Sequence, residues 1–280
     1  MTSPSKPEKA SDNLVLRAVY GFSGFFLMLG GMVWNQWSYG FVFLVIFWLC
    51  LQEFFQLVFP KGQLFLRRFG LLLGVLFYSG HFLESSQLIS PRFFYWYYPL
   101  FSLSFAVLLY QKNAVQPFAQ ISYLLLGLVY VGLPFGLMHW AVFDEAGQYR
   151  YQVILGTFFL IWIHDIGAYF LGFRYGRHPL FPRISPSKSW EGSAGGALLT
   201  LSMAFLLNAY LHDLHLGQWL GLAGIVIVVG THGDLVESML KRSVLVKDSS
   251  QALPGHGGFL DRFDNFLLSA PFIALFLKFF

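Results

Sequence analysis

Nine apolar stretches divide this sequence, at roughly 14–34, 39–59, 69–89, 93–110, 118–142, 152–173, 193–211, 217–236 and 264–280. A helix needs about 20 such residues to cross the hydrocarbon core of a bilayer. Charged residues make up 11% of the 280 positions, against about 25% in a soluble domain. So few charges cannot cover a water-facing surface of this size, so most of the surface must face lipid. The expectation is an all-α, polytopic transmembrane helix bundle of about nine spans. Residues 1–13 read as a disordered cytoplasmic tail, 14–142 as an N-terminal transmembrane scaffold, and 143–280 as a C-terminal catalytic transmembrane region. The run after the tail is long and lacks a small-residue cleavage site, so it reads as a membrane helix rather than a removed signal peptide. Glu84 and Pro91 interrupt the third and fourth stretches, where a re-entrant arrangement is the alternative.

The basic residues orient the bundle. With the N-terminus in the cytoplasm, fifteen of the eighteen Lys and Arg fall in inside segments, and only Arg92, Arg150 and Lys278 fall outside. That asymmetry satisfies the positive-inside rule. It also accounts for the net charge of +4, and no basic run is long enough to follow a nucleic-acid backbone. The single cysteine, Cys50, lies in an apolar run and reads as a buried, inert thiol. Phe93-Phe94-Tyr95-Trp96-Tyr97-Tyr98 reads as an interfacial aromatic belt.

Acidic residues are costly within a membrane, and those retained there are usually functional. Seven of the fourteen fall on the cytoplasmic side of the last four spans: Asp165, Glu191, Asp234, Glu237, Asp248, Asp261 and Asp264. On a helix, Asp234, Glu237, Ser238 and Lys241 recur at i, i+3, i+4 and i+7 and share one face. Either they line a reactive cavity or they form an ion-pair network between helices. Downstream, Lys247-Asp248 precedes Leu253-Pro254-Gly255-His256-Gly257-Gly258 and Asp261-Arg262-Phe263-Asp264. Glycines let a backbone approach a ligand closely, and successive N–H groups can cradle phosphate oxygens. Asp261 and Asp264 could simply favour a helix N-terminus. Clustered Asp, long basic side chains and a glycine loop together point to Mg²⁺ with a phosphorylated substrate, because Mg²⁺ prefers one or two carboxylates plus waters and substrate phosphates.

The segment from Ser238 through Lys241-Arg242, Lys247-Asp248, Leu253-Pro254, His256-Gly257-Gly258 and Asp261-Arg262 to Asp264 resembles the signature of phosphatidate cytidylyltransferases. Three upstream segments are similar to the same family. Asp165-Ile166-Gly167-Ala168-Tyr169-Phe170-Leu171-Gly172 looks like its Asp-x-x-Ala-Tyr-x-x-Gly segment, and Ser185-Pro186-Ser187-Lys188-Ser189-Trp190-Glu191-Gly192 looks like its Ser-Pro-x-Lys-x-x-Glu-Gly loop. Gly233-Asp234-Leu235 with Glu237-Ser238 looks like its Gly-Asp-Leu-x-Glu-Ser helix. The motifs span residues 165–264, and the N-terminal half is similar only as a multi-span bundle. Ser187 stands where many relatives carry a second lysine, so one phosphate contact is expected to be missing or supplied elsewhere.

The resemblance implies transfer of a cytidylyl group from CTP to phosphatidic acid, giving CDP-diacylglycerol and pyrophosphate at the cytoplasmic face of a bacterial inner membrane. It implies catalytic roles for Asp234, Asp261, Lys241 and His256. Substrate-binding roles fall to Lys188, Ser238, Arg242, Lys247, Gly257, Gly258 and Arg262. Asp234 and Asp261, with Asp165 and Asp264 beside them, are the expected Mg²⁺ ligands, with a monovalent cation as a family-level companion. His164 and His232 are expected to pack or to support neighbouring side chains. A nucleotidyltransferase acting on another lipid phosphate shares these motifs and is the alternative. A transporter would place charges at span centres and repeat its halves, which this sequence does not do. The partners expected are CTP, phosphatidic acid and the bilayer, with no nucleic acid. The aromatic N-terminal half offers a surface for a homodimer.

Overall fold

The structure, a computed structural model, describes residues 8–59, 63–110, 116–246, 249–250 and 257–280. Nine α-helices run through the described residues, each overlapping one expected apolar stretch: α1 (Glu8–Trp34), α2 (Gln36–Val58), α3 (Leu64–Ser85), α4 (Tyr97–Leu109, preceded by a 3-10 turn at Pro91–Trp96), α5 (Pro117–Val142), α6 (Tyr151–Tyr175), α7 (Trp190–Tyr210), α8 (Leu216–Ser243) and α9 (Leu260–Phe279). Five of them, α2 and α5 to α8, are long and apolar enough to cross a membrane by length and composition. α1 carries a further apolar segment at Gly21–Trp34 and α4 one at Pro99–Leu109. The helix of α1 begins at Glu8, inside the expected tail. Glu8, Lys9 and Ala10 are good helix formers that extend it with polar turns.

The chain is not purely helical. Between α6 and α7, β1 (Pro179–Phe181) and β2 (Ser185–Ser189) form an antiparallel hairpin, with Pro179 opposite Ser189 and Phe181 opposite Ser185. Three prolines, Pro179, Pro182 and Pro186, prevent a helix here by removing N–H donors and clashing with the preceding turn. The apolar-run reasoning had no purchase on so short and polar a segment.

Local chemistry sets the turns. Asn35 separates α1 from α2, and its Oδ1 accepts from the amides of Trp37 and Ser38 at 2.8 and 2.9 Å. The Ser38 hydroxyl accepts from the Asn35 amide in return, a capping box that satisfies donors the helix leaves open. Single π-helical turns interrupt α5 at Leu128–Gly132 and α8 at Val226–Gly230. Such bulges re-aim side chains and recur at functional sites.

An aromatic core joins the two halves of the chain. Phe266 of α9 stacks on Phe158 of α6 at 5.3 Å and meets Phe135 of α5 edge-on at 5.0 Å. Phe43 of α2 contacts both Phe135 and Phe158. These rings bury the face of α9 opposite its acidic residues.

A glycine seam joins α6 to α7. A Cβ on Gly196 would lie 2.8 Å from the His164 carbonyl oxygen, and one on Gly192 would lie 2.7 Å from that of Ala168. Backbone cannot move aside as a side chain can, so the close approach depends on small residues, as in membrane helix pairs generally. Gly196→Val is expected to cost about 1–3 kcal/mol or more through overpacking, read as a lower thermal unfolding midpoint in detergent and a lower yield of monodisperse protein.

Candidate active site

The expected shared face on α8 exists, and the fold divides its charges between two adjacent clusters. In the first, Lys241 is clamped between two carboxylates. Its Nζ lies 2.5 Å from Glu237 Oε2 and 2.7 Å from Asp261 Oδ1. The i, i+4 spacing within α8 makes the first contact possible, and the start of α9 brings the second. Glu237 is almost completely buried, and the Lys241 and Asp261 side chains are 14% exposed. The other oxygen of Asp261, Oδ2, accepts from the Ser249 amide at 3.2 Å, the Ser249 hydroxyl at 3.0 Å and the Gly258 amide at 2.9 Å. Asp261 is thus saturated by a lysine and by the loop before α9.

In the second cluster, Asp234 forms an ion pair with Lys188. The hairpin delivers Lys188 from β2, and Glu191 pins the base of that hairpin. Glu191 Oε2 accepts from the Arg177 amide at 3.0 Å and the His178 amide at 3.2 Å, and Oε1 lies 2.5 Å from His178 Nδ1. Asp264 is in hydrogen-bonding contact with Asp234, and Asp165 lies close enough to Asp234 for a direct charge interaction. Asn265 orients this group: its Nδ2 donates to Asp165 Oδ1 at 3.3 Å, while its backbone amide donates to Asp264 Oδ1 at 2.8 Å.

Two carboxyls in contact require a proton or a cation between them. Asp165, Asp234 and Asp264 offer carboxylate oxygens of the kind a hard divalent cation takes. Among the described residues, no three Asp, Glu, His or Cys side chains converge closely enough to hold an ion unaided. A cation here would complete its shell with water and substrate oxygens. The four expected metal ligands are thus divided: Asp165, Asp234 and Asp264 sit together, and Asp261 belongs with Lys241.

The other expected residues distribute as follows. Ser238 is half-buried on the same face of α8, and Arg242 and Arg262 are exposed nearby in sequence. Arg242 donates to the Val246 carbonyl at 3.4 Å. Gly257 adopts φ +79°, a conformation that favours glycine. The Gly258 amide, expected to meet phosphate, is engaged by Asp261 instead. Lys247 and His256 lie outside the described residues. His164 places both ring nitrogens on hydroxyls, Thr231 at 3.1 Å and Thr200 at 3.3 Å, so it ties α6 to α7 and α8. His232 Nδ1 lies 2.6 Å from the Val228 carbonyl of its own helix.

Two side chains from the N-terminal half reach this region, and motif reading passed over both. Tyr130, on the π-turn of α5, sits within charge-interaction range of Glu237, Asp264 and Asp234. Its buried hydroxyl has no hydrogen-bond partner among the described residues. Glu53 of α2 is 4% exposed and accepts hydrogen bonds from both sides of residues 251–256. A lone acid within an apolar helix was the available signal for Glu53.

Comparison with known proteins points to one family. The profile described as the cytidylyltransferase family matches residues 15–280. The chain is similar to a phosphatidate cytidylyltransferase from Staphylococcus epidermidis, with 39% identity over 183 residues, covering 64% of this chain and 68% of the relative. A phosphatidate cytidylyltransferase from Staphylococcus aureus matches to the same extent, 39% over 183 residues. One from Haemophilus influenzae is 42% identical over 132 residues, covering 45% of this chain and 46% of the relative.

Proposed function

The chain belongs to the cytidylyltransferase family, and on that premise we propose that it transfers the cytidylyl group of CTP to phosphatidic acid, giving CDP-diacylglycerol and pyrophosphate. The observation that carries this reading is the meeting of Lys188, Asp234, Asp264 and Asp165 from three helices and a hairpin. That arrangement juxtaposes a lysine suited to binding phosphate with three carboxyls.

A phosphate oxygen of the lipid attacks the α-phosphorus of CTP. The bond to the bridging α–β oxygen breaks, and pyrophosphate leaves with its electron pair. The attacking oxygen is already anionic, so no strong base is required. The obstacle is bringing two anions together, and positioning and electrostatics dominate, as in other phosphoryl-type transfers. Lys188, Arg242 and Arg262 hold substrate phosphates in this reading. Lys188 exchanges Asp234 for a phosphate oxygen when substrate arrives. Lys241, clamped between Glu237 and Asp261, keeps Asp261 and its loop in register. Asp234, Asp264 and Asp165 would hold Mg²⁺, and a monovalent cation is the family-level companion; bound metal would supply charge neutralisation of the triphosphate and the leaving pyrophosphate.

The topology that suits both substrates has about nine spans, with the N-terminus and the active site on the cytoplasmic side of a bacterial inner membrane. CTP then reaches the site from water and phosphatidic acid reaches it from the leaflet. The positive-inside asymmetry supports that orientation.

Purified protein in detergent, given labelled CTP, Mg²⁺ and phosphatidic acid, is expected to release pyrophosphate and form a labelled CDP-lipid. Other lipid phosphates are expected to be poorer acceptors. No CDP-lipid under conditions in which the Staphylococcus aureus relative makes it would overturn the reading.

A further inference from the structure

Glu53 lies in an apolar helix, and among the described residues it has no basic partner; all four donors on it are neutral. Oε1 accepts from the Ser250 hydroxyl at 2.6 Å and the Phe259 amide at 3.0 Å. Oε2 accepts from the Leu260 amide at 2.9 Å and shares the one Ser249 hydroxyl proton, at 3.1 Å, with Asp261 Oδ2. Each oxygen thus faces one hydroxyl and one backbone N–H. The amides are those that a helix start leaves without partners, and a carboxylate is favoured at that end of the helix. Capping is ordinarily local, supplied by a Ser, Thr, Asp or Asn at the N-cap. Here the N-cap is Phe259, with no side-chain oxygen, and the cap comes from α2, 207 residues away in sequence.

We propose that Glu53 is a positioning residue for cytidylyl transfer: from α2 it seats Ser249, Ser250 and the start of α9, and thereby Asp261 and Lys241. The role rests on the function proposed above. The connection is continuous. Ser249 Oγ lies within hydrogen-bonding distance of Glu53 Oε2 and of Asp261 Oδ2 at 3.0 Å. Asp261 Oδ1 in turn holds Lys241. Gly258 completes the fit, because a Cβ there would collide with the Ser249 hydroxyl and the Glu53 carboxylate. The glycine makes room for a carboxylate arriving from the other half of the chain.

The test compares wild type with Glu53→Gln and Ser249→Ala, all purified in detergent and normalised to folded enzyme. Glutamine keeps the shape and supplies one acceptor oxygen, so whichever way its amide turns, its NH₂ meets a backbone N–H. Glu53→Gln is expected to lower kcat by roughly tenfold or more, as loss of an orienting partner commonly does, with KM for phosphatidic acid little changed. Amide exchange across 257–262 is expected to quicken about tenfold, the equivalent of one hydrogen bond lost, while α6 and α7 keep wild-type protection. Ser249→Ala removes only the bridging hydroxyl and is expected to lower kcat in the same direction. A folded Glu53→Gln enzyme with wild-type kcat would overturn the role, as would a loss that only follows the folded fraction. If Glu53→Gln does not fold, wild-type kcat in Ser249→Ala overturns it. A wild-type chain that makes no CDP-lipid overturns the function first and this role with it, whereas the exchange measurement reads the Glu53 contact independently of activity.

Discussion

Asp234→Asn is expected to abolish CDP-lipid formation while leaving the protein folded. Asp234 is where the second cluster meets: it pairs with Lys188 and touches the carboxyl of Asp264, with Asp165 beside it. Asparagine preserves the volume and removes the charge. Removing one preorganised electrostatic group from an active site commonly costs about 10²–10³ in kcat. Stability should not fall in parallel. Three carboxyls crowd together here, and like charges at close range destabilise. Lys188, left without its partner, is 29% exposed and can reach water. The expected result is therefore turnover below about one per cent of wild type, with a thermal unfolding midpoint in detergent that is unchanged or higher. Near-normal turnover would remove Asp234 from the chemistry, and collapse of the folded protein would make it a structural ion pair.

Lys241→Met is expected to show the opposite balance, losing stability as well as activity. Lys241 is the shared cation of Glu237 and Asp261, whose carboxyls are also in contact with each other. Methionine fills the space of the stem and leaves two buried acids facing without a cation. Breaking a buried pair by removing one partner costs about 3–5 kcal/mol. The second substitution Glu237→Gln removes one of the stranded charges, so the double variant should unfold at a higher temperature than Lys241→Met alone. That non-additivity is the signature of directly interacting side chains. Neither variant should regain turnover, because Asp261 and the loop it holds lose their register with Lys241. If the double variant were no more stable than the single one, the three side chains would not form the coupled unit described here.

Much of the molecule was legible in its residues, for physical reasons that differ by feature. Lipid solvation imposes long apolar runs, so every expected stretch contains a helix. The 3.6-residue period placed Asp234, Glu237, Ser238 and Lys241 on one face, and the Glu237–Lys241 pair forms as that spacing predicts. The polar hairpin was not legible, because its prolines and serines carry no period. The family resemblance assigns Gly258 to substrate binding. Its amide instead bonds Asp261, and its missing side chain accommodates Glu53. A glycine reports that something approaches closely, and its sequence neighbours do not say what.

The acids gathered in the last third of the chain, their spacing along each helix and the family they resemble were therefore determined by sequence alone. All are local, set by helical period, membrane solvation and short motifs. Only the tertiary structure decided which acids share a cluster. It placed Asp234 with Asp264 and Asp165, and gave Asp261 to Lys241. It also brought Glu53 and Tyr130 from the N-terminal half to the same region. Contacts such as Glu53 with Leu260, 207 residues apart, depend on how α2 packs against α9, and no local pattern encodes that packing.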